Sequence, residues 1–197
     1  MPARIVLASR NAHKIEELSR MAPDVEWLLL PDSAGDPPET GATFEANALQ
    51  KARFGAAATG LPCLADDSGI EVDALGGRPG VWSKRYSPEA TDAANNALLL
   101  RELADVGALS PGARSARYRC VIALVAADGA EQVFDGRCEG TIGFSLRGSN
   151  GFGYDPLFLP AAVPGRAMAE LEPAEKDAIS HRGAALQAYK QATGRLE

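Results

Sequence analysis

Apolar positions along the chain occur either in short unbroken runs or at helical spacing. Residues 5–8 form an apolar run, and a polar turn follows before Ile15, Leu18 and Met21 repeat every third position. The run predicts a buried strand and the spacing predicts a helix. A strand, a polar turn and a helix in succession are a common beginning of an α/β domain.

The same two patterns continue to the end of the chain. They predict further strands at 25–30 and 63–65, with 70–72 left open as a continuation of the latter, and helices at 43–59, 91–106 and 177–192. The Asp128-Gly129 pair between the segments 117–126 and 132–144 predicts a long β-hairpin. Residues 76–90 and 148–156 have no period and are predicted to form structured loops. The order of elements predicts a mixed sheet with helices around it.

Length and charge limit the classes of function. The chain has 197 residues, of which 46% are hydrophobic and 23% charged, so we expect residues 1–197 to form one domain with a sizeable core. The net charge of −6 argues against a polynucleotide partner, since such proteins usually present a basic face. No stretch approaches the about 20 apolar residues of a membrane span. A small anionic substrate remains open.

The cysteines indicate the compartment. Cys63, Cys120 and Cys138 are odd in number and show no metal-binding spacing, so neither a disulfide framework nor a zinc site is expected. The apolar run at 5–8 is too short for a signal peptide. We therefore expect a cytoplasmic protein with buried thiols.

The first candidate site is Ser9-x-Asn11-x-x-Lys14, where the first predicted strand passes into the first predicted helix. Free N–H groups and the helix dipole favour phosphate at a helix N-terminus, and Lys14 adds positive charge. The alternative is a capped helix with a solvated lysine. His13 is expected to be structural or to face solvent. The helical pattern leaves Lys51 open as a surface residue or a phosphate ligand.

The second candidate site is Asp66-Asp67-Ser68-Gly69 at the end of the predicted strand 63–65. Adjacent carboxylates repel each other, and a divalent cation would relieve that repulsion. Glu39, in an irregular loop, is a candidate third carboxylate. Replacing Asp67 by Asn is then expected to lower turnover with little change in the melting temperature. The alternative is a polar turn.

The third candidate site is Gly151-Phe152-Gly153-Tyr154-Asp155-Pro156. Its glycines let the backbone approach a ligand, its aromatic rings could bracket a planar base, and its N–H groups could bind a base edge. The alternative is a tight turn whose Phe152 and Tyr154 fill the core.

The fourth candidate site combines Lys176, before the last predicted helix, with His181 and Arg182 near its start. Together they could hold a phosphate and a base oxygen. Each of them alone is more often a solvated residue.

In order along nearly the whole chain, these segments resemble the inosine/xanthosine triphosphate pyrophosphatase family. The matching segments are Ser9–Lys14, Glu39–Phe44, Asn47–Ala52, Leu64–Gly69, Leu75–Val81, Ser83–Tyr86, Gly151–Pro156 and Glu175–Gly183. The resemblance implies an elongated mixed α/β fold with two lobes around a central cleft, and a homodimer. It implies hydrolysis of deaminated purine nucleoside triphosphates (ITP, dITP and XTP) to the monophosphate and pyrophosphate, with Mg²⁺ as cofactor.

The resemblance also implies roles for individual residues. The residues expected to bind the triphosphate are Ser9, Arg10, Asn11, Ala12, His13, Lys14 and Lys51. Glu39 and Asp67 are expected to bind the metal, with Asp66 nearby. Asp67 is also expected to be the proton acceptor. Substrate contacts, including the base, fall to Ser68, Phe152, Gly153, Tyr154, Asp155, Lys176, His181 and Arg182.

Two positions depart from the family pattern. Ala46 stands where an acidic residue is common, which lowers the number of carboxylates near the metal by one if that acid assists it. Lys84 stands where a small residue is common and adds charge. Two other functions stay open: a pyrophosphatase for modified pyrimidine nucleotides, and a nucleotide-binding regulator without turnover. Retention of Glu39, Asp66 and Asp67 argues against the regulator, and the segment from Ser180 to Arg182 favours purines.

Overall fold

The computed structural model describes residues 3–194, and within them six strands form one sheet. The strands are β1 (Ala3–Leu7), β2 (Val25–Leu29), β3 (Cys63–Val72), β4 (Ser115–Val125), β5 (Glu131–Ile142) and β6 (Phe158–Pro160). They lie in the order β2-β1-β3-β4-β5-β6. β1 is parallel to both β2 and β3, whereas β5 and β6 are antiparallel. The predicted mixed α/β sheet is confirmed.

Helices accompany this sheet at most of the predicted positions. They are α1 (Ala12–Met21), α2 (Phe44–Thr59), α3 (Asp92–Asp105), α4 (Pro173–Ile179) and α5 (His181–Thr193). At α2 and α3 a side-chain cap fixes where the helix begins, since the hydroxyls of Thr43 and Thr91 accept from the backbone N–H groups of Ala46 and Ala94. Within residues 3–194, no helix is both long and apolar enough to cross a membrane.

The single closing helix predicted at 177–192 is wrong. Ser180 has an extended backbone (ψ 154°), and it separates α4 from α5. α4 begins earlier than expected because Pro173 occupies its first turn, where a missing N–H costs nothing. Lys176 therefore lies within a helix and not before one.

For the third strand, the end predicted at residue 65 is wrong, and the continuation to residue 72 that was left open is confirmed. β3 runs without interruption from Cys63 through the Asp66-Asp67-Ser68-Gly69 segment to Val72. The two acids are thus in the middle of a strand and both are buried. Gly55 lets α2 pack closely there, because a Cβ at this position would lie 2.4 Å from the Cys63 sulfur.

Contacts divide the chain into two compact units. The first consists of Met1–Asp67, Cys120–Gly136 and Arg182–Glu197, and the second of Ser68–Arg119 and Arg137–His181. Each has its own hydrophobic core. The core of the first unit includes Ile5, Leu18, Leu64, Ile122 and Tyr189, and that of the second includes Ile70, Leu99, Tyr118, Phe158 and Leu171. The single domain over residues 1–197 stays a prediction.

Candidate active site

The two acids of β3 serve two different clusters in the first unit. Consecutive side chains of a strand point to opposite faces of the sheet, so Asp66 and Asp67 point apart. The Nζ of Lys14 lies 3.0 Å from Asp66 Oδ2, and the Nζ of Lys51 lies 2.9 Å from Asp67 Oδ1. Each acid therefore has a cationic partner of its own, and the expected shared cation is not needed to relieve their repulsion.

Around Asp67, α2 supplies two side chains from one face. Lys51 also donates to Glu39 Oε1 at 2.8 Å, and Asn47, one turn earlier, donates from Nδ2 to Asp67 Oδ2 at 3.0 Å. The Oδ1 of Asn47 accepts from the Gly41 N–H at 2.7 Å, which ties the loop carrying Glu39 to the same helix. Burial disfavours the charged form of Lys51, but attraction by Asp67, Asp66 and Glu39 outweighs it and raises the pKa of Lys51.

This geometry provides a test of the expected magnesium site. Glu39 and Asp67 already converge on one positive charge, the ammonium of Lys51. In residues 3–194, no group of three or more His, Cys, Asp or Glu side chains is placed to hold a metal ion. Mg²⁺ usually takes one or two carboxylates and completes its shell with water and substrate phosphates. The pair of carboxylates fits that kind of site, whereas Asp66 is engaged elsewhere.

Asp66 belongs to a buried network of alternating charge. Its Oδ2 accepts from Arg182 Nη2 at 3.0 Å as well as from Lys14, and Arg182 Nη1 donates to the buried Glu17. Burial alone would raise the pKa of Asp66, but Lys14 and Arg182 outweigh burial and hold this pKa far below its usual range. All three guanidinium nitrogens of Arg182 contact these two carboxylates. The predicted substrate contact of Arg182 stays a prediction.

The junction of β1 and α1 is held together by its own polar groups. The Oδ1 of Asn11 accepts from the N–H groups of His13 and Lys14, and Ser9 Oγ accepts from the Asn11 N–H. Asn11 thus caps α1, as the alternative interpretation predicted, but the solvated lysine of that interpretation is wrong because Lys14 pairs with the buried Asp66. Ala12 begins the helix and, like His13, is exposed. The phosphate-binding role of this junction stays a prediction.

Arg10 is anchored away from this junction. Its guanidinium donates to Asp32 Oδ1 at 2.7 Å and to the carbonyl of Gly35 at 3.1 Å. Both partners lie in the loop that precedes α2, so Arg10 orders that loop in the structure described here.

In the second unit, Asp155 is the centre of the third candidate site. It is only 2% exposed, and its Oδ2 accepts from Lys176 Nζ at 2.6 Å and from the Phe152 N–H at 3.0 Å. Its Oδ1 accepts from the hydroxyl of Tyr118 at 3.1 Å. Lys176 Nζ also lies 4.8 Å from the centre of the Phe152 ring. Asp155 thus holds Lys176, the Phe152 backbone and Tyr118 together.

The loop around Gly153 is fixed by α3. Asp92 accepts from the Gly153 N–H at 2.7 Å, and Asn96 donates to the Gly153 carbonyl at 2.8 Å. Tyr154 is buried and donates to the carbonyl of Ser83. Two expectations are corrected: the N–H groups of Phe152 and Gly153 bond within the protein, and Tyr154 is a core residue, which leaves Phe152 as the partly exposed ring.

His181 and Ser68 complete the predicted set. The imidazole of His181 is buried and stacks on the ring of Tyr118, with centroids 4.6 Å apart and planes inclined by 8°. Ser68 follows Asp67 on β3 and is partly buried. Several residues with a part in these contacts were not predicted: Glu17, Asn47, Asp92, Asn96 and Tyr118. Only Asn47 carried a signal, its spacing of four residues from Lys51 on one helix face.

Comparison with known proteins finds relatives over nearly the full length of the chain. Residues 5–192 match the Ham1 family. The dITP/XTP pyrophosphatase of Nocardia farcinica is 54% identical, covering 93% of this chain and 91% of that protein, and that of Exiguobacterium sibiricum is 49% identical, covering 96% of each. The solved HAM1 protein of Coxiella burnetii has a TM-score of 0.85 at 44% identity and covers 98% of this chain and 99% of that one. The chain belongs to the Ham1 family.

Proposed function

We propose that this chain is a nucleoside triphosphate pyrophosphatase that hydrolyses deaminated purine nucleotides (ITP, dITP and XTP) to the monophosphate and pyrophosphate. Curated relatives of about half identity carry the name dITP/XTP pyrophosphatase. The observation that carries the proposal is the pair of buried acids on β3. Asp66 is paired with Lys14, and Asp67 is paired with Lys51, which also binds Glu39. A phosphoanhydride hydrolase needs both kinds of charge, since cations neutralise the phosphates and a carboxylate orients water.

The triphosphate-binding residues are assigned to the first unit. They are Ser9, Arg10, Asn11, Ala12, His13, Lys14 and Lys51. Lys14 and Lys51 carry the argument, because their ammonium groups are now shared with carboxylates and could turn to phosphate oxygens when substrate arrives. The N-terminus of α1 adds the helix dipole.

Glu39 and Asp67 would hold Mg²⁺, with Asp66 as a nearby charge. A bound Mg²⁺ would offset negative charge on the phosphates during transfer. Asp67 has the second task of orienting the attacking water and accepting its proton at a carboxylate oxygen, held in place by Asn47. Water attacks the α-phosphorus, since the leaving group is pyrophosphate.

Recognition of the base is assigned to residues of the second unit. Hypoxanthine and xanthine carry a carbonyl at C6, where adenine carries an amine. Donors at this position, from Lys176 or His181, would face another donor in ATP, and sites that depend on such bonds discriminate by up to ~10⁴–10⁵. Phe152 supplies a partly exposed ring. Ser68, Gly153, Tyr154 and Asp155 shape this region.

A homodimer in the cytoplasm completes the proposal. Trp82 is 57% exposed and carries the Arg85 guanidinium over its ring, which suits a protein interface. The three cysteines are free and buried, which suits a reducing compartment. Light scattering at micromolar concentration tests the dimer: twice 20.6 kDa is expected, and the monomer mass throughout would contradict it.

Isotope labelling tests the reaction itself. In ¹⁸O-water with Mg²⁺, turnover of ITP is expected to place the label in the monophosphate and to stop when EDTA is added. Label only in pyrophosphate would put the attack on the β-phosphorus. Unchanged turnover in EDTA would exclude the metal.

A further inference from the structure

Tyr118 connects the parts of the proposed base site without having been assigned to it. It lies on β4 within the second unit and is 7% exposed. One face of its ring stacks on His181, and its hydroxyl donates to Asp155 Oδ1. Asp155 in turn accepts from Lys176 and from the Phe152 N–H. Tyr118 therefore contacts the His181 imidazole directly. It is linked to Lys176 and to the Phe152 backbone through the carboxylate of Asp155.

The hydroxyl anchors the Tyr118 ring. Burial, and then the negative charge of Asp155, raise the pKa of Tyr118 well above its ordinary value, so the hydroxyl stays protonated and donates. Phe158 packs edge-on against the same ring, with centroids 4.8 Å apart and planes inclined by 63°. The packing of Phe158 and the hydrogen bond to Asp155 thus both restrain the position of the Tyr118 ring.

A fixed ring in turn restricts its stacked neighbour. The torsion about the Cβ–Cγ bond of histidine has broad, roughly two-fold preferences, so an imidazole plane is not defined by its own chemistry. A parallel aromatic ring at 4.6 Å leaves the His181 plane little freedom. Hydrogen bonds weaken steeply when they are misaligned, so the orientation of this plane decides whether a ring nitrogen reaches a base atom.

We propose that Tyr118 is a positioning residue, whose ring fixes the plane of the His181 imidazole and thereby sets discrimination between deaminated purines and adenine. The proposal rests on the proposed function, in which His181 contacts the base. The two parts of the Tyr118 side chain have different roles. The ring positions His181, and the hydroxyl anchors the ring to Asp155.

Proton NMR tests the stacking directly. The chain has two histidines, and His13 is exposed, so it serves as the internal reference for His181. Ring protons stacked over an aromatic face are shielded, so the His181 resonances are expected upfield of those of His13. They should stay upfield in Tyr118→Phe and move downfield in Tyr118→Leu. Coincident His13 and His181 resonances in the unmodified protein would overturn the proposal.

Kinetics test the consequence for specificity. Tyr118→Phe is expected to keep the ratio of kcat/KM for ITP to that for ATP within about twofold, because the ring remains and Phe158 still packs against it after the hydroxyl anchor is lost. Tyr118→Leu, and Tyr118→Met as a second ring-removing variant, should lower that ratio about two- to tenfold, the value of one aromatic contact. Phe158→Leu is the matched control, since it removes one of the two restraints on the Tyr118 ring and leaves the stacked ring itself in place. It should lower the ratio clearly less than Tyr118→Leu does, while it lowers the melting temperature.

A double-mutant cycle separates positioning from general stability. If Tyr118 acts through His181, Tyr118→Leu should have no further effect on the ratio in a His181→Ala background. Additive effects, or an equal loss in Phe158→Leu, would overturn the proposal. Failure of the proposed function looks different, because the unmodified protein would then turn over ITP no faster than ATP, and His181→Ala would leave that ratio unchanged.

Discussion

Replacing Asp67 by Asn removes one negative charge from the centre of the first cluster. Asp67 Oδ1 accepts from Lys51 and Oδ2 accepts from Asn47. The new amide has one acceptor and one donor, so one of these neighbours meets an N–H where it had an oxygen. Asn47 cannot turn round to adapt, because its own Oδ1 is bonded to the Gly41 N–H.

The magnitude follows from these contacts. A buried donor left without an acceptor costs about 1–3 kcal/mol. For a chain of this size, about 2 kcal/mol lowers the melting temperature by about 4–8 °C. Loss of a general base lowers the rate by ~10²–10⁴. The structure thus predicts lower stability as well as lower turnover, whereas adjacency of the two acids in the sequence suggests nearly unchanged stability.

The rate effect is measured as turnover of ITP at saturating Mg²⁺. The stability effect is measured as thermal unfolding, followed by circular dichroism. Asp128→Asn is the matched control, because Asp128 is an exposed turn residue whose Oδ1 accepts from the Ala130 N–H, which an amide oxygen can also do. It should change neither quantity. Near-normal turnover by Asp67→Asn would refute the role of Asp67, and a raised melting temperature would refute the contact analysis.

Two further predictions concern other parts of the chain. Burial raises the pKa of Cys63 and Cys120 to about 12 and that of Cys138 to about 11. Thiolates react and thiols do not, so iodoacetamide at pH 8 should label the native protein far more slowly than the unfolded protein, and equal labelling would contradict the buried thiols. Gly151→Ala should lower both stability and kcat/KM for ITP. The reason is that Gly151 has φ of +75° and that a Cβ there would lie 2.0 Å from Asp155 Oδ2. A variant with unchanged melting temperature and kinetics would contradict this arrangement of the loop.

The sequence predicted the elements whose signal is local. Strands and helices with a clear apolar period appear close to where they were expected. The end of β3 was missed because the strand carries Asp66 and Asp67 in its buried interior, where the apolar run that marks a strand is interrupted. The closing helix was predicted as one because a single extended residue, Ser180, leaves no periodic signal.

The candidate site was predicted as a set of residues and not as a set of contacts. Asp66 is neutralised by Arg182, which lies 116 positions further along the chain, and no local pattern reports such a partner. Tyr118 likewise reads as one more apolar position of a strand, although its hydroxyl and ring connect two predicted site residues. Long-range pairing decides which polar residues remain available to a ligand.

The ratio of kcat/KM for ITP to that for ATP, measured with Mg²⁺ and with the products identified, tests the central claim most directly. The account predicts IMP and pyrophosphate from ITP and far slower turnover of ATP, since the C6 amine would meet donors. Equal kcat/KM for the two nucleotides, or release of IDP and single phosphates from ITP, would contradict it.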